Sequence, residues 1–398
     1  MDALTTPSNW QKVRLGDIAE IIGGGTPSTQ ITSFWNGSIN WFTATEIGIT
    51  KYVYKSQRTI TPLGLKKSSA KLLPIGTILL TSRASIGDCA ILKVVATTNQ
   101  DFQSLIPLEK INNEFLYYLI LTLKNKLLKL ASGSIFLGVS PNKIKNLLIP
   151  LPPLNEQIAI ANILSGLDRY LYSLRALILK KESVKKALSF ELLSQRKRLK
   201  GFNQNWQRVR LGTYKYRRGS FPQPYGNPQW YSDNGMPFVQ VYDVGENFKL
   251  TQKTKQKISK IAQPMSVFVP KNSVIITLQG TIGRVALTQY DCYCDRTILI
   301  FDNNTLNDVN KYFFVLSLFT KFEEEKRKAD GSIIKTITKQ TLKDFEILLP
   351  PLNEQIAIAN ILSDLDHEII SLKNKKRQFE NIKKALNHDL MSAKIRVL

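Results

Sequence analysis

Leu151-Pro152-Pro153-Leu154-Asn155-Glu156-Gln157-Ile158-Ala159-Ile160-Ala161-Asn162-Ile163-Leu164-Ser165 recurs without a single difference as Leu349 to Ser363. A repeat of this kind has to be recognised first, because it decides what counts as one structural unit. Each copy opens a run with a helical apolar period. Each is preceded by a stretch that mixes short strands, Gly/Pro turns and one helix. The chain therefore reads as block, long helix, block, long helix, over residues 1–150, 151–200, 201–348 and 349–398.

The prolines at 152 and 153 stop a strand and suit a helix start, and Glu156 lies in the first turn, where a negative charge favours the helix dipole. Beyond it Leu164, Leu167, Leu171, Leu174 and Ile178 alternate three and four residues apart. Val184, Leu188 and Leu192 continue the pattern after one break near Lys181. The second copy carries Leu362, Leu365, Ile369 and Leu372, then Phe379, Ile382, Leu386 and Leu390. Both stripes are coiled-coil seams. A helix of about 40 residues is on the order of 60 Å long and cannot bury its stripe within a small block, so the two helices are natural partners. A parallel pair would put the blocks side by side. The antiparallel pair is favoured because it matches the approximate twofold symmetry of duplex DNA and holds two blocks at a fixed separation. Basic residues outnumber acidic ones between Asp168 and Lys200, which fits phosphate or a solvated helix face.

The repeat begins before the identical stretch. Asn9-Trp10-Gln11-Lys12-Val13-Arg14-Leu15-Gly16 has its counterpart in Asn205-Trp206-Gln207-Arg208-Val209-Arg210-Leu211-Gly212. In the first block, Gly23-Gly24-Gly25-Thr26-Pro27-Ser28 lacks both the spacing and the following helix of a phosphate-cradling loop. It reads as a tight loop, either one whose bare backbone approaches DNA or a structural turn. Ile39 to Thr45 reads as a strand, and Leu72 to Ile91 as two strands joined by a polar turn that carries Arg83. Asn113 to Leu130 has a helical period with Gly133 as its stop. In the second block, Val269 to Leu287 repeats the plan of Leu73 to Ile91, with Thr277 to Ala286 over Thr81 to Ala90. Ala329-Asp330-Gly331-Ser332-Ile333 lies over Ala131-Ser132-Gly133-Ser134-Ile135. Arg217-Arg218-Gly219-Ser220 takes the place of the glycine loop. Between these anchors the blocks share little, as two blocks that read different sequences would need.

Of 398 residues, 55 are Lys or Arg and 31 Asp or Glu, a net charge of +24. An excess that large on a globular composition points to a polyanion, most simply nucleic acid. The longest apolar run, Phe115 to Leu123, is too short to span a membrane and is followed by Lys124 and Lys126. With no secretory signal at the N-terminus, a cytoplasmic location is expected. Cys89, Cys292 and Cys294 are odd in number and suit a reducing compartment, as buried or inert thiols.

Candidate DNA contacts are Thr26, Ser28, Thr43, Thr45 and Arg83 in the first block. In the second they are Arg217, Arg218, Gln240, Tyr242, Gln279, Arg284 and Arg296. Arginine and glutamine form paired hydrogen bonds to guanine and adenine edges respectively. Each is also a common surface residue. No catalytic residue can be assembled. The two histidines, His367 and His388, fall on the solvent side of the second long helix, so neither block has the base of a nucleophilic triad. Cys292-Tyr293-Cys294 lacks partner ligands for a metal. Asn227-Pro228-Gln229-Trp230 resembles an amino-methyltransferase motif but has Gln in place of the second Pro, and no Gly-rich cofactor motif precedes it.

Pro152-Pro153-Leu154-Asn155-Glu156-Gln157-Ile158 and its twin at Pro350 to Ile356 closely resemble the DNA specificity (S) subunit of Type I restriction-modification systems. The Gly24-Gly25-Thr26-Pro27-Ser28 loop, the Ser85-Ile86-Gly87 and Thr281-Ile282-Gly283 turns and Cys294-Asp295-Arg296-Thr297 are similar to that family too. The resemblance covers both halves. It implies an α+β fold with two pseudo-repeated target recognition domains, and two conserved spacer helices that form an antiparallel coiled coil serving as a ruler. It further implies a non-catalytic chain that recognises a bipartite double-stranded DNA target and directs two modification (methyltransferase) subunits and the restriction (motor-nuclease) subunits to it. Leu154, Glu156, Gln157, Leu352, Glu354 and Gln355 would then serve the spacer and the partner subunits. Those partners would bring S-adenosylmethionine, ATP and magnesium, and this chain would bind no cofactor. The second block departs from the pattern with Arg218-Gly219-Ser220-Phe221-Pro222, so loop contacts do not carry over from one block to the other. The alternatives are a stand-alone DNA methyltransferase and a basic scaffold for nucleic acid.

Overall fold

The two identical stretches begin helices at the same residue. After the paired prolines, which cannot donate to a ladder, helices run over Leu154–Leu193 and Leu352–Met391. The first ends short of the expected Lys200. The computed structural model describes residues 9–132, 137–280, 282–328 and 339–397. Gly133, Thr281 and the compared stretches Ser134-Ile135 and Ala329 to Ile333 lie outside the described residues.

The chain divides into two units, residues 1–176 with 373–398, and residues 177–372. In unit 1 a five-stranded sheet has the order Ala19–Gly23, Gln103–Pro107, Ile78–Leu80, Cys89–Leu92, Tyr52–Val53. A three-stranded sheet has the order Arg58–Ile60, Trp35–Phe42, Ala96–Thr98. The helix Asn113–Leu130, capped by the Asn112 side chain, buries Phe115, Tyr118, Ile120 and Leu123 in a core shared with the five-stranded sheet and with Ile160, Ala161 and Leu164 of the repeat. Unit 2 follows the same plan. Its sheets are Tyr216–Arg218, Ile298–Phe301, Val274–Thr277, Val285–Leu287 and Gln256–Ile258, Tyr231–Val239, Cys292–Cys294, Val267–Val269. The helix Lys311–Lys328 and Ile358, Ala359 and Leu362 of the repeat close its core. The three cysteines are buried thiols in strands, and burial pushes the Cys89 and Cys294 thiols up. The expected strand Ile39 to Thr45 is Trp35–Phe42. Thr43 and Thr45 fall in a helical turn after it, because Glu46 accepts from the Thr43 backbone N–H at 2.8 Å and curls the chain.

Each unit contains part of both long helices, and in each they run antiparallel. In unit 1, Asp168 pairs with Lys383, and the Tyr170 ring lies 4.8 Å from that of Phe379. In unit 2, Lys185 pairs with Asp366 at 2.5 Å and Lys181 with Glu368 at 2.8 Å. Numbering rises on one helix as it falls on the other. The seam departs from the apolar stripe at one place in each copy. Val184 and Ile382 are exposed at 45% and 42%, and the neighbouring Lys185 and Lys383 take the inward positions, drawn by Asp366 and Asp168.

The first turn of each long helix turns inward. Glu156 and Gln157 are each 2% exposed, and Glu354 and Gln355 1% and 2%. A short antiparallel pair, Gln11–Arg14 on Leu148–Leu151, brings Trp10 to the helix start, where its indole N–H donates to Glu156 at 3.1 Å. Gln207–Arg210 on Glu346–Leu349 does the same for Trp206 and Glu354, also at 3.1 Å. Gln157 accepts from the Asn112 N–H at 3.0 Å and donates to the Pro152 carbonyl at 2.9 Å. Gln355 repeats both bonds with Asn310 and Pro350, at 2.9 and 2.8 Å. The arginines differ. Arg198 donates twice to Glu354, at 2.7 and 3.3 Å, whereas Arg396 stands 3.6 Å from Glu156, whose Oε1 is buried with no hydrogen-bond partner among the described residues. Removing one member of a buried, well-paired ion pair costs about 3 kcal/mol or more. Arg198 is 29% exposed and hydrates once the carboxylate is gone, so Glu354→Ala is expected to lower the unfolding free energy of unit 2 by less than that, on the order of 2 kcal/mol, and Glu156→Ala to cost unit 1 less again, although the two glutamates sit in identical sequence. Chemical denaturation of the two variants measures this, and equal costs would show that the arginine geometry is irrelevant.

Candidate nucleic-acid interface

In unit 1, three loops converge on the turn Asn99-Gln100-Asp101. The Asp101 N–H bonds Asn99 Oδ1 at 3.1 Å and Asn99 Nδ2 bonds Asp101 Oδ2 at 2.8 Å, a local alternative to sheet pairing that turns Gln100 outward. The Asn99 N–H donates to the Phe42 carbonyl at 3.0 Å, just before Thr43. The Gly25 N–H donates to the Thr98 carbonyl at 2.8 Å, and the Asp101 carbonyl accepts from the Ser82 and Arg83 N–H groups at 2.7 and 3.3 Å. Thr26, Ser28, Thr43, Thr45 and Arg83, scattered in the sequence, thus sit on neighbouring loop ends. Thr26 donates its hydroxyl to Gln100 Oε1. Thr43 caps its turn through Glu46 at 2.8 Å and meets the Thr45 hydroxyl at 3.0 Å. Arg83 is exposed, and its guanidinium has no ion pair among the described residues.

The glycine loop packs inward. A Cβ on Gly24 would stand 2.0 Å from the Asn99 carbonyl oxygen, and one on Gly219, its counterpart, 2.2 Å from that of Cys294. These bare backbones serve close approach to the neighbouring turn. Trp41 and Trp35 pin the loop through their indole N–H groups to the Gly25 and Ser28 carbonyls, at 2.9 and 3.0 Å.

Unit 2 builds the same convergence on Asp295-Arg296-Thr297. The Thr297 N–H bonds Asp295 Oδ1 at 2.9 Å, the Asp295 N–H donates to Val239 at 3.0 Å, and the Leu278 N–H donates to Thr297 at 2.8 Å. Gln240 and Tyr242 lie on the turn after the strand, with Gln240 accepting from the Tyr242 hydroxyl. Asp243 completes that turn by accepting from the Gln240 N–H at 2.9 Å. Burial raises its carboxyl pKa, and hydrogen bonds from Gln240, Lys255 and Thr251 oppose the rise. Gln279 is exposed beside Gly280, which has φ +70, as Ala84 beside Arg83 has φ 51. Arg296 is exposed 5.3 Å from the Tyr225 ring centroid, and the Tyr225 hydroxyl donates to Asp295.

Three arginines stand differently. Arg217 donates to the Phe268 carbonyl at 3.0 Å, and Arg284 donates to Val244 at 3.1 Å and pairs with Glu246 at 2.8 Å. Arg218 is exposed at the end of its strand. Gln100 and Lys255, whose ammonium is 5.0 Å from the Tyr242 ring, were not among the sequence candidates. Gln100 was legible only as the residue 196 positions before Arg296. Of the spacer candidates, Leu154 and Leu352 are each 41% exposed, while the glutamates and glutamines face the interior. Asn227 caps a turn over Pro228–Trp230 by accepting from the Gln229 N–H at 3.0 Å. No helix among the described residues is long and apolar enough to cross a membrane.

Residues 7–181 and 222–381 match the family model of the Type I restriction modification DNA specificity domain. The chain is 27% identical to the type I restriction enzyme MjaIX specificity subunit of Methanocaldococcus jannaschii, over 98% of this chain and 94% of the relative. It is 37% identical to the EcoR124I/EcoR124II specificity subunit of Escherichia coli over 39% of this chain and 40% of the relative. The fold is similar to that of the crystallised S subunit from M. genitalium, with TM-score 0.60, 18% identity and 98% of both chains covered. It is also similar to a chain from a study of complex assembly and conformational transition of the type I R-M system, with TM-score 0.65, 20% identity and 97% and 98% covered. With the family model matched over most of its length, the chain belongs to the type I restriction-modification DNA specificity subunits, the non-catalytic component of such systems.

Proposed function

We propose that this chain reads a bipartite duplex DNA target, one half-site with each unit, and directs methyltransferase and restriction subunits to it. The observation that carries the reading is the loop convergence built twice, around Gln100 and around Arg296, with three equivalent bonds that fix the turn in each unit and different side chains on it. A net charge of +24 supports a phosphate-lined partner. Residues 1–150 and 201–348 are then the target recognition domains, and 151–200 and 349–398 the spacers. Exposed apolar pairs one helical turn apart, Leu154 with Ile158 and Leu352 with Ile356, each 41% exposed, offer equivalent footholds for two modification subunits. Those subunits bring S-adenosylmethionine, and the restriction subunits bring ATP and magnesium.

Methylation mapping of genomic DNA with and without the gene tests this directly. A split adenine-methylation motif is expected to vanish with the gene, and an unchanged methylome in a strain with an active system would sink the proposal. The long helices take the role of a ruler. Inserting one helical turn into both is expected to change the spacing between the half-sites and leave the bases unchanged. Altered bases at unaltered spacing would refute that role.

A further inference from the structure

Residue 83 of unit 1 and residue 279 of unit 2 hold the same place in the loop convergence. Each follows a residue whose N–H bonds the carbonyl of the central turn, and each precedes a residue with positive φ, Ala84 or Gly280. Residues 100 and 296 hold a second common place, the outward position of that turn. At the first place unit 1 has arginine and unit 2 glutamine. At the second, unit 1 has glutamine and unit 2 arginine. All four side chains are exposed on backbones fixed by hydrogen bonds.

We propose that these two places are the purine-reading positions of each unit, and that the exchange of arginine and glutamine between them makes the half-sites differ. The inference rests on the DNA-reading function proposed above. The guanidinium offers two parallel donors, which match the O6 and N7 acceptors of guanine. The glutamine amide offers one donor and one acceptor, which match N7 and N6 of adenine. The Thr26 hydroxyl donates to Gln100 Oε1, which fixes that end of the exposed amide and leaves its NH₂ group and one oxygen lone pair for a base. The Tyr225 ring, itself tied to Asp295, lies 5.3 Å from the Arg296 guanidinium and offers it a cation–π contact on one side. Two other candidate arginines of the second block fit less well. Arg217 and Arg284 already donate to protein carbonyls, and Arg284 is paired with Glu246. Arg58 in unit 1 is stacked 3.7 Å above Trp35.

The test uses the full-length chain to select from duplexes with randomised base pairs at one salt concentration. The variants are R83Q/Q100R, which gives unit 1 the arrangement of unit 2, and the single variants R83A and Q100A. Each single variant is expected to lose on the order of tenfold discrimination at one base pair of one half-site. The double variant is expected to change the preferred bases in that half-site only. Unchanged preferences in R83A and Q100A, or changes in both half-sites, would overturn the inference while leaving DNA reading intact. A wild-type chain that selects no sequence would overturn both.

Discussion

The structure depends on a carboxylate buried at the start of each long helix. An ion removed from water is costly unless its lone pairs are met, and Glu354 meets that demand with two bonds from Arg198, one from Trp206 and a place in the first helical turn, where the dipole favours negative charge. The three groups come from the start of the block, the start of one long helix and the segment after the end of the other. One carboxylate thus ties together parts of unit 2 that are far apart in sequence. Glu156 makes the corresponding tie in unit 1 from Trp10 and Arg396. The adjacent glutamine spans from the proline carbonyl before the helix to the backbone N–H of the asparagine that caps the block's core helix. Within the chain, the fifteen identical residues therefore meet equivalent neighbours twice.

Between the long helices, register is set by charge where the apolar stripe lapses. The pairs Lys185–Asp366 and Lys383–Asp168 are the same pair in the two copies, 198 residues apart. A slip that buried Val184 and Ile382 would strip both aspartates of their lysines, and Asp366 and Asp168 also accept from the Tyr312 and Tyr118 hydroxyls. A few polar groups at a seam specify pairing in this way at a cost in apolar burial. Next to this fixed pair the two copies diverge. Tyr170 meets Phe379 where the other copy has Glu368 meeting Lys181.

The doubled motif, the long helices and the core helix Asn113–Leu130 were legible because period and caps are local properties. The antiparallel seam was legible as a stripe, but its lapse at Val184 was not, since an apolar residue at the expected spacing gives no sign that its lysine neighbour has an aspartate waiting. Glu156 was read as a dipole partner at a helix start. Its burial depends on Trp10, nearly the whole block away, which no spacing reveals. The loop candidates were legible as residue types on turns, and their convergence was not, because it is made by backbone bonds from Phe42, Thr98, Asp101 and Ser82, whose side chains carry no mark of it. Gln100 escaped for that reason.

The two blocks seat against long helices that share fifteen identical residues, and they do so with different chemistry at one place. Lys51 and Phe248 are equivalent, since the carbonyl of each accepts from the equivalent strand residue, Ile91 or Leu287. In unit 1 the Lys51 ammonium bonds Glu114 at 2.5 Å, Ser165 at 2.8 Å and Tyr118 at 2.9 Å. Burial pushes the Lys51 amine down, against the pull of Glu114. For Glu114 burial works upward, and hydrogen bonds from Lys51, Ser165 and Tyr52 outweigh it and hold the carboxyl below the usual range. In unit 2 the Phe248 ring instead meets the ring of Tyr312, which stands where Glu114 does, at 6.5 Å, and that of Phe319 at 5.2 Å. Both members of each pair, Lys51 with Glu114 and Phe248 with Tyr312, belong to the block. On the helix side Asp168 and Asp366 accept a tyrosine hydroxyl in either case. Each block therefore carries a matched set of seating residues, and the helix offers an acceptor that tolerates both. A crossover between Lys51 and Glu114 would set the lysine against the Tyr312 phenol in place of a carboxylate, or a carboxylate against a phenylalanine.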